Sequence, residues 1–215
     1  MNSAELAGAI DGYELNVFVN CPFDDKYLAL LRPLLFTIVY LGYHPRIASE
    51  RSDSGENRLD KICELIRQSK FSIHDLSRLK AARARELYRM NMPFELGIDY
   101  GSRQHGPEFM RGKKCLILEK EAYDFKAALS DMSGVDIKSH RNKPEEVVRA
   151  VRDWFYETVG LVQRLHDQSL RGETRGRHSR ERRQGGHRQD ADTGILELCS
   201  GLGSQARLSR AGSWN

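Results

Sequence analysis

The chain of 215 residues has no CxxC pair, no glycine-rich phosphate-binding run of the GxGxxG or Walker kind, and no long uninterrupted apolar stretch. Its four cysteines, Cys21, Cys63, Cys115 and Cys199, lie dozens of residues apart. That spacing excludes a zinc ribbon and a dense disulfide framework. No His/Cys/carboxylate spacing suggests a metal. The longest apolar segment, Leu28–Tyr43, is broken by Arg32 and Pro33 and is too short to span a bilayer. The first fifteen residues carry acidic groups and no basic n-region, so no secretory signal is expected. The expectation is a soluble, cytoplasmic protein with no membrane partner.

Charge of one sign is also missing from most of the chain. The overall net charge is +4, and residues 171–215 alone hold nine arginines against five acidic residues. Residues 1–170 are therefore balanced, and overall charge is no argument for nucleic-acid binding by the folded part. Only the Arg/Gly-rich tail suggests it, and only weakly. Residues 171–215 read as a disordered tail with almost no apolar residue over Arg171–Asp192.

What is present is one domain's worth of core, with 40% hydrophobic residues. Leu15–Val19, a short β-branched and aromatic run, reads as a strand, as do His44–Ala48, Phe71–Asp75 and Lys114–Glu119, and a fifth is expected near Val135–Lys138. Between them lie helical periodicities over Lys26–Leu41, Arg58–Gln68, Asn91–Tyr100 and Pro144–His166. Pro33 should kink the first helix or mark a short first segment. Asn91 should cap the third and Gly101 should stop it. Alternating strands and helices predict a three-layer α/β fold over residues 14–168, with a mostly parallel five-stranded sheet of the flavodoxin-like or Rossmann-like kind. Residues Leu79–Arg89 are basic and read as a loop or short helix.

In such a sheet ligands bind beyond the carboxyl ends of the strands, where the strand order reverses. That rule gathers Asn20–Asp24, Glu50–Arg58, Asp75–Arg78, Ser130–His140 and the helix start at Asn91–Gly97 onto one edge. The Asn20-Cys-Pro-Phe-Asp24 turn can hold a phosphate or ribose hydroxyl through its N–H groups. Equally, Pro22 can simply shape the turn while Asp24 caps the helix. Glu95 stands out. It is expected in the first helical turn, where the dipole lowers a carboxyl pKa, among the apolar residues Phe94 and Leu96. Gly97 removes a side chain where a ligand could approach. An ionised, partly desolvated carboxylate is a competent nucleophile toward a sugar carbon with oxocarbenium character. It can also serve only to satisfy the helix start. Asp75, with Ser77 on the same face, can bind a ribose hydroxyl or supply a proton, or cap the next turn. Asp53, Arg58, Asp131, Ser133, Asp136 and His140 are weaker candidates and read first as solvated loop residues. His44 and His74 read as strand histidines.

Cys21-Pro-Phe-Asp24 after the first strand, Asp75-Leu-Ser77 after the third, and Met92-Pro-Phe-Glu-Leu-Gly97 opening a helix together resemble the nucleoside 2-deoxyribosyltransferase-like and TIR-like superfamily. The chain looks closest to a branch of small bacterial TIR-like, nucleotide-binding proteins. The resemblance spans about residues 14–160. It implies that Glu95 attacks or stabilises the anomeric carbon of a ribosyl N-glycoside and that Asp75 assists. It further implies that Asn20, Pro22, Phe23, Asp24, Ser77, Met92 and Gly97 line the substrate pocket. No cofactor is implied, since NAD or a nucleotide would be substrate. A homo-oligomer and a role in bacterial defence fit the same resemblance.

The transferase pattern has a glycine where this chain has Cys21, and a small-residue run where it has Asn91-Met-Pro-Phe. N-glycosidic hydrolysis, ribosyl transfer and nucleotide sensing or protein interaction without turnover are therefore all open at this point.

Overall fold

All five residues of β1, Asn16–Asn20, are buried. This is what a central parallel strand covered on both faces requires. The computed structural model describes residues 10–79 and 90–161. The Arg/Gly-rich tail and nearly all of the basic Leu79–Arg89 segment lie outside the described residues. Around β1 the sheet is built from β2 (His44–Arg46), β3 (Phe71–Asp75), β4 (Lys114–Glu119) and β5 (Lys138–Ser139). The order is β2-β1-β3-β4-β5 and every pairing is parallel. This is the α/β architecture expected, with its fifth strand shifted to Lys138–Ser139. The chain leaves β1 toward one edge and returns to the other side as β3. The carboxyl ends of β1 and β3 therefore flank the crevice where the order reverses.

Four helices accompany the sheet: α1 (Leu28–Tyr40), α2 (Arg58–Arg67), α3 (Asn91–His105) and α4 (Pro144–Trp154). Helix α1 runs unbroken through Pro33. The Thr37 hydroxyl donates to the Pro33 carbonyl at 2.7 Å, within the turn that follows the proline. Its Leu34 and Ile38 are wholly buried, each contributing about 1.5–3 kcal/mol of transfer free energy. Asn57 caps α2 by accepting from the Leu59 N–H at 2.8 Å.

Helix α3 departs from expectation at both ends. Met90, not Asn91, is the capping residue and offers no side-chain bond, while Gly101 lies inside the helix. The stop is Gly106, where a Cβ would stand 2.3 Å from the Ser102 carbonyl oxygen. Only glycine fits that close turn.

One core cluster packs Phe18 and Ala48 against Ile62, Leu65 and Ile66 of α2. Another packs Ile117 of β4 with Leu96 of α3, Leu76 and Phe125. The chain divides into two compact units at Arg152, and the sheet belongs wholly to the first. In the second, the described residues form a π-helical turn at Phe155–Val159 that ends on left-handed Gly160.

Candidate functional site

At the carboxyl edge a cleft of about 180 Å³ opens between the β1 loop and the starts of α2 and α3. Its lining is Cys21, Pro22, Phe23, Arg58, Arg78, Asn91 and Met92. Glu95 lies three and four residues beyond Met92 and Asn91, so the three share one face of α3 about one turn apart. It is 5% exposed. Among the described residues nothing hydrogen-bonds its carboxylate. Burial raises its pKa from the usual carboxylate range to about 7, with Arg58 pulling the other way. This reverses the expected direction. Glu95 is the fifth residue of α3, past the first turn where the dipole acts, so desolvation wins. The Cys21 thiol is also pushed up, by burial first and then by the negative fields of Asp75 and Glu95. Cys21 therefore lies within reach of both carboxylates.

Asp75 ends β3 with no exposure at all. Its Oδ1 accepts from the Ser77 N–H at 2.8 Å and from the Ser77 hydroxyl. Its Oδ2 accepts from the Tyr27 hydroxyl and from His140 Nε2 at 3.1 Å. The Asn142 N–H donates to His140 Nδ1 at 3.0 Å, which places the ring proton on Nε2. That proton is shared with Ser77 Oγ at 2.8 Å. Burial and the Asp75 charge keep the Tyr27 phenol protonated, far above its usual range. Four donors already occupy Asp75, so it organises the floor beside the cleft and offers no free lone pair to a ligand. His140, expected in a solvated loop, is instead wholly buried here.

A second buried network lies behind the cleft. Asn20 Nδ2 donates to the Met92 carbonyl at 3.0 Å and to His74 Nδ1 at 3.0 Å. The carbonyl accepts only, which fixes the orientation of the amide. His74 Nε2 then donates to Asp99 Oδ2 at 3.1 Å, where the Ser72 hydroxyl also donates at 2.5 Å. The Lys113 ammonium stands 3.1 Å from Asp99 Oδ1 and donates to the Ile66 and Ser69 carbonyls at 2.6 Å each. Burial alone would raise the Asp99 pKa. The His74 hydrogen bond, the Lys113 charge and the Ser72 hydroxyl outweigh it and hold the carboxyl well below its ordinary range. His74, Asp99 and Cys115 form the only trio of metal-ligand type among the described residues, with ligand atoms within 4.8 Å of one another. Lys113 already supplies the cation there, and burial pushes the Cys115 thiol up to about 12. The trio is therefore poorly suited to a metal ion.

The expected site residues divide accordingly. Pro22, Phe23 and Met92 line the cleft, and Glu95, one helical turn from Asn91 and Met92, is not part of its lining. Asn20 sits buried beneath, its Oδ1 without a partner among the described residues. Asp24 caps the turn into α1, accepting from the Lys26 and Tyr27 N–H groups, and pairs with Arg78 at 2.7 Å. Ser77 serves Asp75. Gly97 is a correction: it lies about 200° round the helix from Glu95, and a Cβ there would meet nothing within 4 Å. It faces away from the cleft. Asp53, Asp131, Ser133 and Asp136 are exposed. Sequence reasoning missed Tyr27, Asp99 and Lys113 and underrated His74, His140 and Arg58. Of these only Arg58 carried a legible signal, as a cation at a helix start on the ligand edge. No family model, curated protein or solved structure matches the chain.

Proposed function

We propose that the chain breaks an N-glycosidic bond of a nucleoside, nucleotide or NAD-like molecule, or transfers its ribosyl group, with the Glu95 carboxylate meeting the anomeric carbon. One observation carries this reading. Glu95 is a nearly buried carboxylate without a hydrogen-bond partner among the described residues, one helical turn from the Asn91 and Met92 that line a cleft at the crevice of a parallel sheet. Asp75 at this depth is fully hydrogen-bonded, and Asp99 is held by His74, Ser72 and the Lys113 ion pair. A carboxylate that no described side chain or N–H holds in this way retains its nucleophilicity and its attraction for positive charge.

In the reaction, a Glu95 oxygen bonds to C1′ as the C1′–N bond breaks, and the base leaves with the bonding pair. Water or an acceptor hydroxyl then attacks C1′, gives up its proton and frees the carboxylate. Asp75 acts as a positioning residue, fixing Tyr27, Ser77 and His140 beside the cleft.

The test is incubation of the purified full chain with NAD and a panel of nucleosides and nucleotides, reading free base by mass spectrometry. Base release by the native chain and none by Glu95→Gln is expected. Equal release by the variant, or no release from any member of the panel, overturns the proposal. Binding without release points instead to a nucleotide sensor.

A further inference from the structure

We propose that the cleft selects a phosphorylated ligand, a nucleoside 5′-phosphate or a dinucleotide containing one, over the free nucleoside, and that Arg58 recognises the phosphate. The proposal rests on the functional reading above for the ribosyl part of the ligand. It narrows the substrate class on separate observations.

Two guanidinium groups from different elements line the same opening, Arg58 at the start of α2 and Arg78 after β3. They are not equivalent. Arg78 is committed to Asp24, through its NH2 on Oδ1 at 2.7 Å and its NH1 on Oδ2. Arg58 is exposed and makes no hydrogen bond or ion pair with any described residue. Its planar fork of donors is free, in the geometry that suits phosphate oxygens. None of the nearby carboxylates takes up its donors. Asp24 is spent on Arg78, and Glu95, which feels the Arg58 charge but makes no hydrogen bond to it, leaves the guanidinium donors open. Asp60, two residues beyond Arg58 and so about 200° round α2, is exposed on another side. The cleft therefore presents one guanidinium whose hydrogen-bond donors are uncommitted among the described residues.

A second feature says what the phosphate is attached to. Phe23 lines the same cleft and is 40% exposed. A free ring beside a free guanidinium offers stacking and charge together, as an aromatic base joined to phosphate requires. At about 180 Å³ the cleft is smaller than the few hundred Å³ of a pocket that swallows a whole ligand. It houses the sugar phosphate, with the base resting on Phe23 at the rim. Inorganic phosphate would use only half of this arrangement.

The experiment is calorimetric titration of the full chain carrying Glu95→Gln, so that turnover does not consume the ligand. The probes are the common ribonucleosides, their 5′-monophosphates and inorganic phosphate, each at low and at high salt. At least one monophosphate should bind about tenfold or more tighter than its nucleoside, with the gap narrowing at high salt. Arg58→Ala should close most of that gap by weakening the monophosphate far more than the nucleoside, and Arg58→Lys should keep part of it. Arg58→Gln, also at this exposed and unpaired position, provides a second folded variant should the alanine chain fail to express.

Equal affinity for nucleoside and monophosphate overturns the proposal. So does a gap that survives loss of Arg58 largely undiminished, inorganic phosphate binding as tightly as any monophosphate, or no binding in either series. The two proposals fail separately. Glu95-dependent base release that is equally fast from free nucleosides sinks phosphate selection alone. A phosphate preference without Glu95-dependent release sinks the glycosidic reading alone.

Discussion

The Asn20 carboxamide donates to the main-chain carbonyl of Met92 at 3.0 Å, and so stitches the end of β1 to the first turn of α3. The same nitrogen reaches His74, and from there the chain of hydrogen bonds and ion pairs runs through Asp99 to Lys113. Lys113 in turn grips the carbonyl of Ile66 near the end of α2. The turn of α3 that precedes Glu95 is therefore anchored to the strands behind it. A nucleophile needs this kind of fixed aim.

Glu95 should report itself through pH. Its folded pKa of about 7 lies above the unfolded value of 4.5, so the folded state binds the proton more tightly. Stability is then complete below the lower value and declines as pH rises through the upper one. Glu95→Gln should be more stable than the native chain by up to about 3 kcal/mol at about pH 8, with the gap closing near pH 4. Urea unfolding at both pH values checks this. If the ionised form is the nucleophile, base release should rise with pH through about 7. A limb that falls there would assign Glu95 to proton donation instead.

Asp75→Asn should cost about 2–4 kcal/mol, because an amide NH2 replaces an acceptor oxygen facing the Tyr27, Ser77 and His140 donors. Denaturant titration measures the loss. A change below about 0.5 kcal/mol would mean that these groups find other partners.

Lys113→Met should destabilise the fold by about 3–5 kcal/mol, since it strands the Asp99 charge in the interior. The double variant Lys113→Met/Asp99→Leu should recover part of that loss. A double variant no better than the single one would show that His74 and Ser72, rather than the ion pair, carry the interaction.

Gly97→Ala should stabilise α3 by about 0.5–1 kcal/mol without altering any activity of the cleft, because the added methyl meets open space in a helix interior. A thermal melt tests the first part. Loss of ligand binding in this variant would return Gly97 to the site.

Strands β1, β3 and β4 were legible because each is a short apolar-centred run closed by a turn signal, and the edge that carries the ligand site followed from their parallel order. The α3 boundaries were not. Glycine at position 101 is tolerated where its missing side chain would touch nothing, and the real stop depends on a carbonyl contact at Gly106. The Glu95 pKa direction was misread because position in the helix was weighed above burial, which only packing reveals. His140 joins Asp75 across 65 residues and Tyr27 across 48. No local pattern encodes such pairings, since each partner alone reads as an ordinary polar or aromatic residue.

The sheet borders carry a consequence for handling the protein. Among the described residues the outermost strands are β2, three residues with Pro45 at its centre, and β5, only two residues long. A proline lacks the N–H that an incoming strand would need, and two residues give scarcely any ladder to extend. Neither border is a template for another copy to zip onto. Concentrated samples should therefore resist cross-strand polymerisation, even though the central strands are almost wholly buried and largely apolar.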